Sequence, residues 1–188
     1  MKNIKICFLL SAFTFTVSIT AQDLHINTGS TITVSAQEQL RVVDGLTVES
    51  TGILQILSND TKSGSLIVEG SSIGDITYKR YLGANKWLNV SSPVTNQGVT
   101  SFVTNQNNDI STAGDPIHTY GASYYKNTNI AGKRWTYHSP AGQAVNQEDL
   151  TELNSGYLKN GQGYSMKRDA AGTFSFTGEL ATDNVVID

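Results

Sequence analysis

The sequence predicts an all-β chain: a short parallel β-solenoid over residues 22–76, then a β-sandwich (jelly-roll-like) unit over 77–188 with one short helix. Three observations carry this. Apolar residues recur in pairs two positions apart, the period of a half-buried strand. Ser, Thr, Asn and Gly supply more than a third of the 188 residues, while charged residues make up only 15%, against about 25% in a typical soluble domain. Both Trp and all eight Tyr fall after Thr77, so the two halves are built from different side chains. This composition excludes a coiled coil or a long-helix bundle, and the 38% hydrophobic share is enough to bury a core.

Residues 1–21 read as a secretory signal peptide. Lys2 and Lys5 precede an apolar run, Ile6 to Val17, followed by the small and polar residues Ser18 to Ala21, after which cleavage is expected. The run is too short for a membrane span, which needs about 20 apolar residues, and no second such run follows, so no span is expected after cleavage. Cys7, the only cysteine, leaves with the signal, which removes disulfides, thiolate metal sites and cysteine nucleophiles from the mature chain. Losing Lys2 and Lys5 makes the formal charge of −3 more negative still. An acidic surface argues against binding nucleic acid or anionic lipid by phosphate neutralisation.

The solenoid rests on the pairs Ile32/Val34, Leu40/Val42, Leu46/Val48, Leu54/Ile56 and Leu66/Val68, separated by turn residues such as Thr28-Gly29-Ser30, Asp44-Gly45, Thr51-Gly52 and Gly70-Ser71-Ser72. The steps between pairs are too short for crossover helices. Two architectures fit: antiparallel hairpins with Asp44-Gly45 as a tight turn, or stacked coils with like residues above like. Small polar residues between the pairs favour the coils, whose corners accept them.

In the second half, strands are expected at Ile76–Leu82, Trp87–Val90, His118–Tyr125, Arg134–His138, Gly163–Lys167 and Thr173–Thr177. Pro93 and Pro140 each follow a Ser at a strand end, where a missing N–H costs least. The expected helix is Gln147–Leu153, with acids in its first turn, Leu150 and Leu153 three apart, and Asn154-Ser155-Gly156 behind it. The segment Gly64–Gly70, followed by Ile76-Thr77-Tyr78-Lys79-Arg80-Tyr81-Leu82, with later matches at Lys86–Val94, Gly161–Met166 and Thr173–Leu180, resembles the N-terminal region of large secreted or cell-surface proteins exported by type IX secretion. That resemblance implies a short β-helix running into a β-sandwich-like unit and an extracellular or cell-surface destination, with the periplasm as the alternative. It implies no catalytic residues. The apolar ending Val185-Val186-Ile187-Asp188, without the sorting domain of such proteins, leads us to expect a longer natural architecture.

Most chemical motifs fail on their own terms. Asn105, Asn107 and Asp109 have the spacing of a calcium loop, but Ile110 and Pro116 stand where its Gly and bidentate Glu belong; a looser calcium site would use Asp109 and Asp115. Gly121-Ala122-Ser123-Tyr124-Tyr125 lacks the last Gly of a nucleophile elbow, and His25, His118 and His138 are far apart in the chain. Gly161-Gln162-Gly163 reads as a tight turn rather than a phosphate cradle. Glu148, Asp149 and Glu152 are explained by a helix start. The better candidates are Trp87, Tyr120, Tyr124, Tyr125, Trp135 and Tyr137, which as a flat platform would stack on sugar rings or else fill the core; Tyr124 and Tyr125 are neighbours and face opposite sides of a strand, so only one of them can be core. The expected function is therefore a secreted, non-enzymatic surface or adhesion-type protein, or alternatively a carbohydrate-binding module. Its expected partners are surface glycans or other cell-surface proteins.

Overall fold

The computed structural model describes residues 17–113, 119–128, 134–139 and 156–182. In chain order its strands are β1 (Ser18–Ile26), β2 (Thr31–Val34), β3 (Gln39–Val48), β4 (Ile53–Ile56), β5 (Ser65–Val68), β6 (Ser71–Ile73), β7 (Asp75–Leu82), β8 (Trp87–Val90), β9 (Thr112–Ala113), β10 (Thr119–Tyr120), β11 (Ala122–Tyr125), β12 (Trp135–Tyr137), β13 (Tyr164–Lys167) and β14 (Gly172–Glu179). One short helix, α1 (Val99–Thr104), lies between β8 and β9. The described residues are thus mostly β, as the period-two pattern requires, and none of their helices is long and apolar enough to cross a membrane.

The first half alternates between two parallel ladders. β1 pairs with β3, and β3 with β5 and then β6; β2 pairs with β4, and β4 with β7. The registers set like on like: Leu24 lies beside Leu46, Ile32 beside Leu54, Leu40 beside Leu66. Val34, Leu40, Val42, Leu46, Val48, Leu54 and Ile56 are all buried, so each apolar pair puts its side chains on one inner face. Because every one of these pairings is parallel, Asp44-Gly45 forms no hairpin turn. It lies inside β3, where Gly45 stacks between Asp23 and Ser71. The first pairs of β1, Ser18–Ala21 with Gln39–Val42, precede the expected cleavage point, and Asp23–Ile26 continue the ladder beyond it.

At one corner Glu49 gathers three donors: the Thr28 N–H at 2.7 Å, the Thr28 hydroxyl at 2.9 Å and His25 Nε2 at 3.0 Å. The Thr28 amide first, then His25 and the Thr28 hydroxyl, lower the Glu49 pKa from 4.5 to about 2. A depressed carboxylate pKa stabilises the fold above the unfolded value, and that contribution is lost as pH falls through the folded value. Thermal melts from pH 5 to pH 2 should therefore show a fall in Tm that Glu49→Gln reduces; parallel curves for the two proteins would refute the role of this carboxylate.

The second half is built on β7. Along its whole length, from Leu82↔Gly172 to Asp75↔Glu179, it pairs antiparallel with β14, which gives a continuous sheet in the order β14-β7-β4-β2. A separate antiparallel sheet has the order β12-β11-β13-β8, and β9 with β10 forms a small ribbon. The expected helix at Gln147–Leu153 lies outside the described residues. Helix α1 was not expected, because four of its six residues, Val99, Thr100, Val103 and Thr104, are β-branched and poor helix formers. Packing holds it instead. Val99, Phe102 and Val103 are buried, and the Phe102 ring stacks on Phe176 at 5.0 Å and meets Phe174 edge-on at 5.6 Å.

Candidate functional site

The sheet β12-β11-β13-β8 sorts its side chains by row. Residues directly opposite one another share a face, and Tyr125↔Trp135, Ser123↔Tyr137, Ser123↔Ser165, Ser165↔Asn89 and Lys167↔Trp87 are such partners. The alternating rows hold Tyr124, Thr136, Tyr164 and Val90, then Ala122, Met166 and Leu88, which are buried or half-buried. One face is thus core; the other is buried at its centre, where Ser123 and Ser165 are 1% and 8% exposed, and opens toward the edge strands β12 and β8, which carry the two tryptophans.

On that second face Trp87, Tyr125 and Trp135 are 48%, 48% and 41% exposed. Tyr125 and Trp135 meet edge to face at 5.3 Å and 73°, and Arg134 donates to the Tyr125 hydroxyl at 3.0 Å. Trp87 meets Tyr137 at 6.1 Å and 68°. Trp87, Tyr137 and Tyr120 then wall a cavity of about 300 Å³, which Thr112, Thr119 and Lys167 help to line. Backbone pairing fixes this cavity: Ser111 N–H donates to Lys167 C=O at 2.9 Å, Gly121 N–H to Ser111 C=O at 2.6 Å and Lys167 N–H to Gly121 C=O at 2.7 Å. The three chains lie so close that a Cβ on Gly121 would stand 3.0 Å from Lys167 O and 3.1 Å from Ser111 Cβ.

Of the six expected aromatics, Trp87, Tyr120 and Tyr137 converge on the cavity, and Tyr125 with Trp135 forms a second exposed pair. Tyr124 is a correction: it is 5% exposed and packs on Tyr164 from the core face, so it cannot stack on a ligand. The flat platform is corrected too. Both pairs are edge to face, the arrangement that ring quadrupoles favour, so each presents a ring face beside a ring edge rather than one plane. The hydroxyl-bearing residues Ser111, Thr112 and Thr119 were missed, because they come from segments that only the tertiary fold unites.

The Asp109 carboxylate has hydrogen-bond partners of its own. Its Oδ2 accepts from the Ala170 N–H at 2.9 Å and lies 3.7 Å from Arg168 Nη2, while Asn105 Oδ1 accepts from the Asn107 N–H at 3.0 Å. These oxygens serve backbone amides. Asp115 lies outside the described residues, among which no three His, Cys, Asp or Glu residues form a metal-binding group. Ser123 is buried in mid-strand and donates to Ser165 C=O at 3.4 Å, which is not the exposed turn of a nucleophile. His118, Glu148, Asp149 and Glu152 lie outside the described residues. Gly161, with φ +76°, makes the turn that leads into β13. No protein-family model matches this chain, and neither curated proteins nor solved structures gave a match.

Proposed function

We propose that this chain is a non-catalytic module of an exported surface protein, a short β-solenoid running into a β-sandwich, that binds glycans through the exposed aromatic face. One observation carries the binding reading: the cavity in which Trp87 and Tyr137 supply ring faces and edges while Thr112, Thr119, Tyr120 and Lys167 supply hydroxyls and a cation. Sugar rings present apolar C–H faces bordered by hydroxyls. A wall of aromatics with a polar handle and adaptable donors around it meets both needs. The volume, about 300 Å³, is that of a small ligand site. The two parallel ladders, with like residues stacked, support the solenoid part of the reading; the Lys-led apolar start and the resemblance to type IX secretion cargo support export.

The test is a glycan array probed with the folded full chain, followed by titration of each hit. Trp87→Ala should weaken binding at least about tenfold, a loss of about 1.4 kcal/mol, and Trp135→Ala should weaken the longer glycans that reach the second pair. Both variants remove exposed side chains, so circular dichroism should stay unchanged. Absence of any glycan hit, or full binding by the folded Trp87→Ala protein, would refute the reading. Release of reducing sugar dependent on Glu148 or Asp149 would refute its non-catalytic part.

A further inference from the structure

Trp87 separates two cavities. On its far side, between residues 59–63 and 80–88, lies a larger one of about 510 Å³, lined among others by Lys62, Arg80, Lys86 and Asp60. Three cations face one carboxylate there, in a chain whose formal charge is −3, so the sign of the charge is reversed locally. All three cations are exposed, and no ion pair among the described residues includes any of them, whereas Arg41 pairs with Glu69 and Arg168 with Asp109. Their partners are neutral. Arg80 Nη1 donates to Ser63 Oγ at 2.6 Å, and Lys62 Nζ donates to Gln37 Oε1. These bonds fix the positions of the two charges without cancelling them.

The segment that carries Lys86 and Trp87 is also anchored. Asn85, at φ +53°, donates its N–H to Arg168 C=O at 2.9 Å, which directs the chain from β7 into β8. Across Trp87 a fourth cation, Lys167, stands directly opposite it in the sheet register and lines the smaller cavity. The sequence of features along the surface is thus three cations, an exposed indole, then another cation beside Tyr137.

From this arrangement we infer that the ligand of the aromatic face is an acidic saccharide, a glycan whose rings carry carboxylate or sulfate groups, with a ring on Trp87 and its acid groups toward Lys62, Arg80 and Lys86 on one side and Lys167 on the other. The inference rests on the glycan reading above and adds the charge of the ligand. Exposed cations that lack counter-charges attract a polyanion and steer it into a cleft, with a strength that salt screens.

Titrating the full chain with dextran, dextran sulfate and polygalacturonate separates the possibilities. The neutral dextran should bind weakly or not at all; preference between the other two tells sulfate from carboxylate. Raising NaCl from about 50 to about 500 mM should weaken polyanion binding at least about tenfold, since the screening length falls from roughly 14 to roughly 4 Å. The double variant Lys62→Gln/Lys86→Gln should weaken it by a similar factor, while Asp60→Asn should tighten it two- to threefold. Dextran binding that equals dextran sulfate binding, shows no salt dependence and is lost in Trp87→Ala would overturn the acidic ligand and leave the stacking reading standing. Polyanion binding that the lysine variants weaken but Trp87→Ala does not would uphold the acidic ligand and overturn the stacking. Binding of none of the three polymers, or tighter binding of a single-stranded oligonucleotide than of either acidic polymer, would overturn the inference.

Discussion

Gly70→Ala is expected to destabilise the fold by about 4 kcal/mol or more, beyond the range of ordinary point substitutions. Between Val42↔Val68 and Gly45↔Ser71, β3 and the β5–β6 segment run side by side around a corner, tied by the Glu69 N–H on Val42 C=O at 3.0 Å. A Cβ on Gly70 would stand 1.5 Å from Asp44 O and 2.5 Å from Asp44 C. No rotamer relieves this, because the clash is with backbone and the methyl has no torsion to adjust. One chain must leave the ladder, and four residues later Gly74 repeats the constraint, with φ +88° and a Cβ position 2.0 Å from Val48 O. Gly163 is the control: nothing lies within 4 Å of its Cβ position, so Gly163→Ala should stay within about 0.5 kcal/mol of the parent. Urea unfolding followed by circular dichroism compares the two. Equal midpoints would show that the corner is not packed as described.

The glycines show where the sequence could be read and where it could not. Gly70-Ser71-Ser72 is visible as a break between apolar pairs, but a hairpin and a stacked corner use the same small residues, and alternation has no strand direction in it. Only the neighbouring chain decides, and that neighbour is more than 20 residues away. Strand positions fared better, because burial on one face imposes period two on the residues themselves: Leu54/Ile56 and Phe174/Phe176 are buried pairs at that spacing. Helix α1 is the opposite case. Val99, Phe102 and Val103 do have helical spacing, yet their β-branched neighbours favour a strand, and the deciding contacts come from Phe174 and Phe176 far along the chain.

The candidate binding face was legible by residue type but not by geometry. Adjacent Tyr124 and Tyr125 had to face opposite ways; which of them turned inward depended on Tyr164. Trp87 and Tyr137 are separated by 50 positions and meet only because β8 and β12 belong to one sheet. The cations could not be found in the same way. Lys62, Arg80 and Lys86 are ordinary surface residues in a chain with few charges, and only the folded surface gathers the three around one cavity with a single carboxylate, Asp60.

Arg168→Ala should cost about 3–5 kcal/mol, because it leaves buried carbonyl acceptors without a donor, at about 1–3 kcal/mol for each one left unsatisfied. The side chain is only 7% exposed, and it donates to four carbonyls: Ala170 at 3.1 Å, Asn107 at 3.3 Å, Asn108 at 2.5 Å and Thr173 at 2.6 Å. Its removal strands these acceptors, each costing part of its desolvation penalty. The Asp109 carboxylate contributes less, because at 3.7 Å and 37% exposure it is a screened pair of the kind worth about 0–1 kcal/mol. Asp109→Asn should therefore be mild, since its amide oxygen can still accept from Ala170, and Arg168→Lys should remain close to Arg168→Ala, since an ammonium has no fork to span carbonyls on two stretches of chain, 107–108 and 170–173. The damage should reach the binding face. Asn85 N–H is held by Arg168 C=O, and Ser111 N–H by Lys167 C=O, so loosening this hub frees both the segment that carries Trp87 and the rim of the cavity. Titrations well below the variant's Tm should then show weakened glycan binding by a protein that is still folded. Wild-type stability in Arg168→Lys, or equal losses in Asp109→Asn and Arg168→Ala, would mean that the ion pair rather than the carbonyl cradle holds the site together.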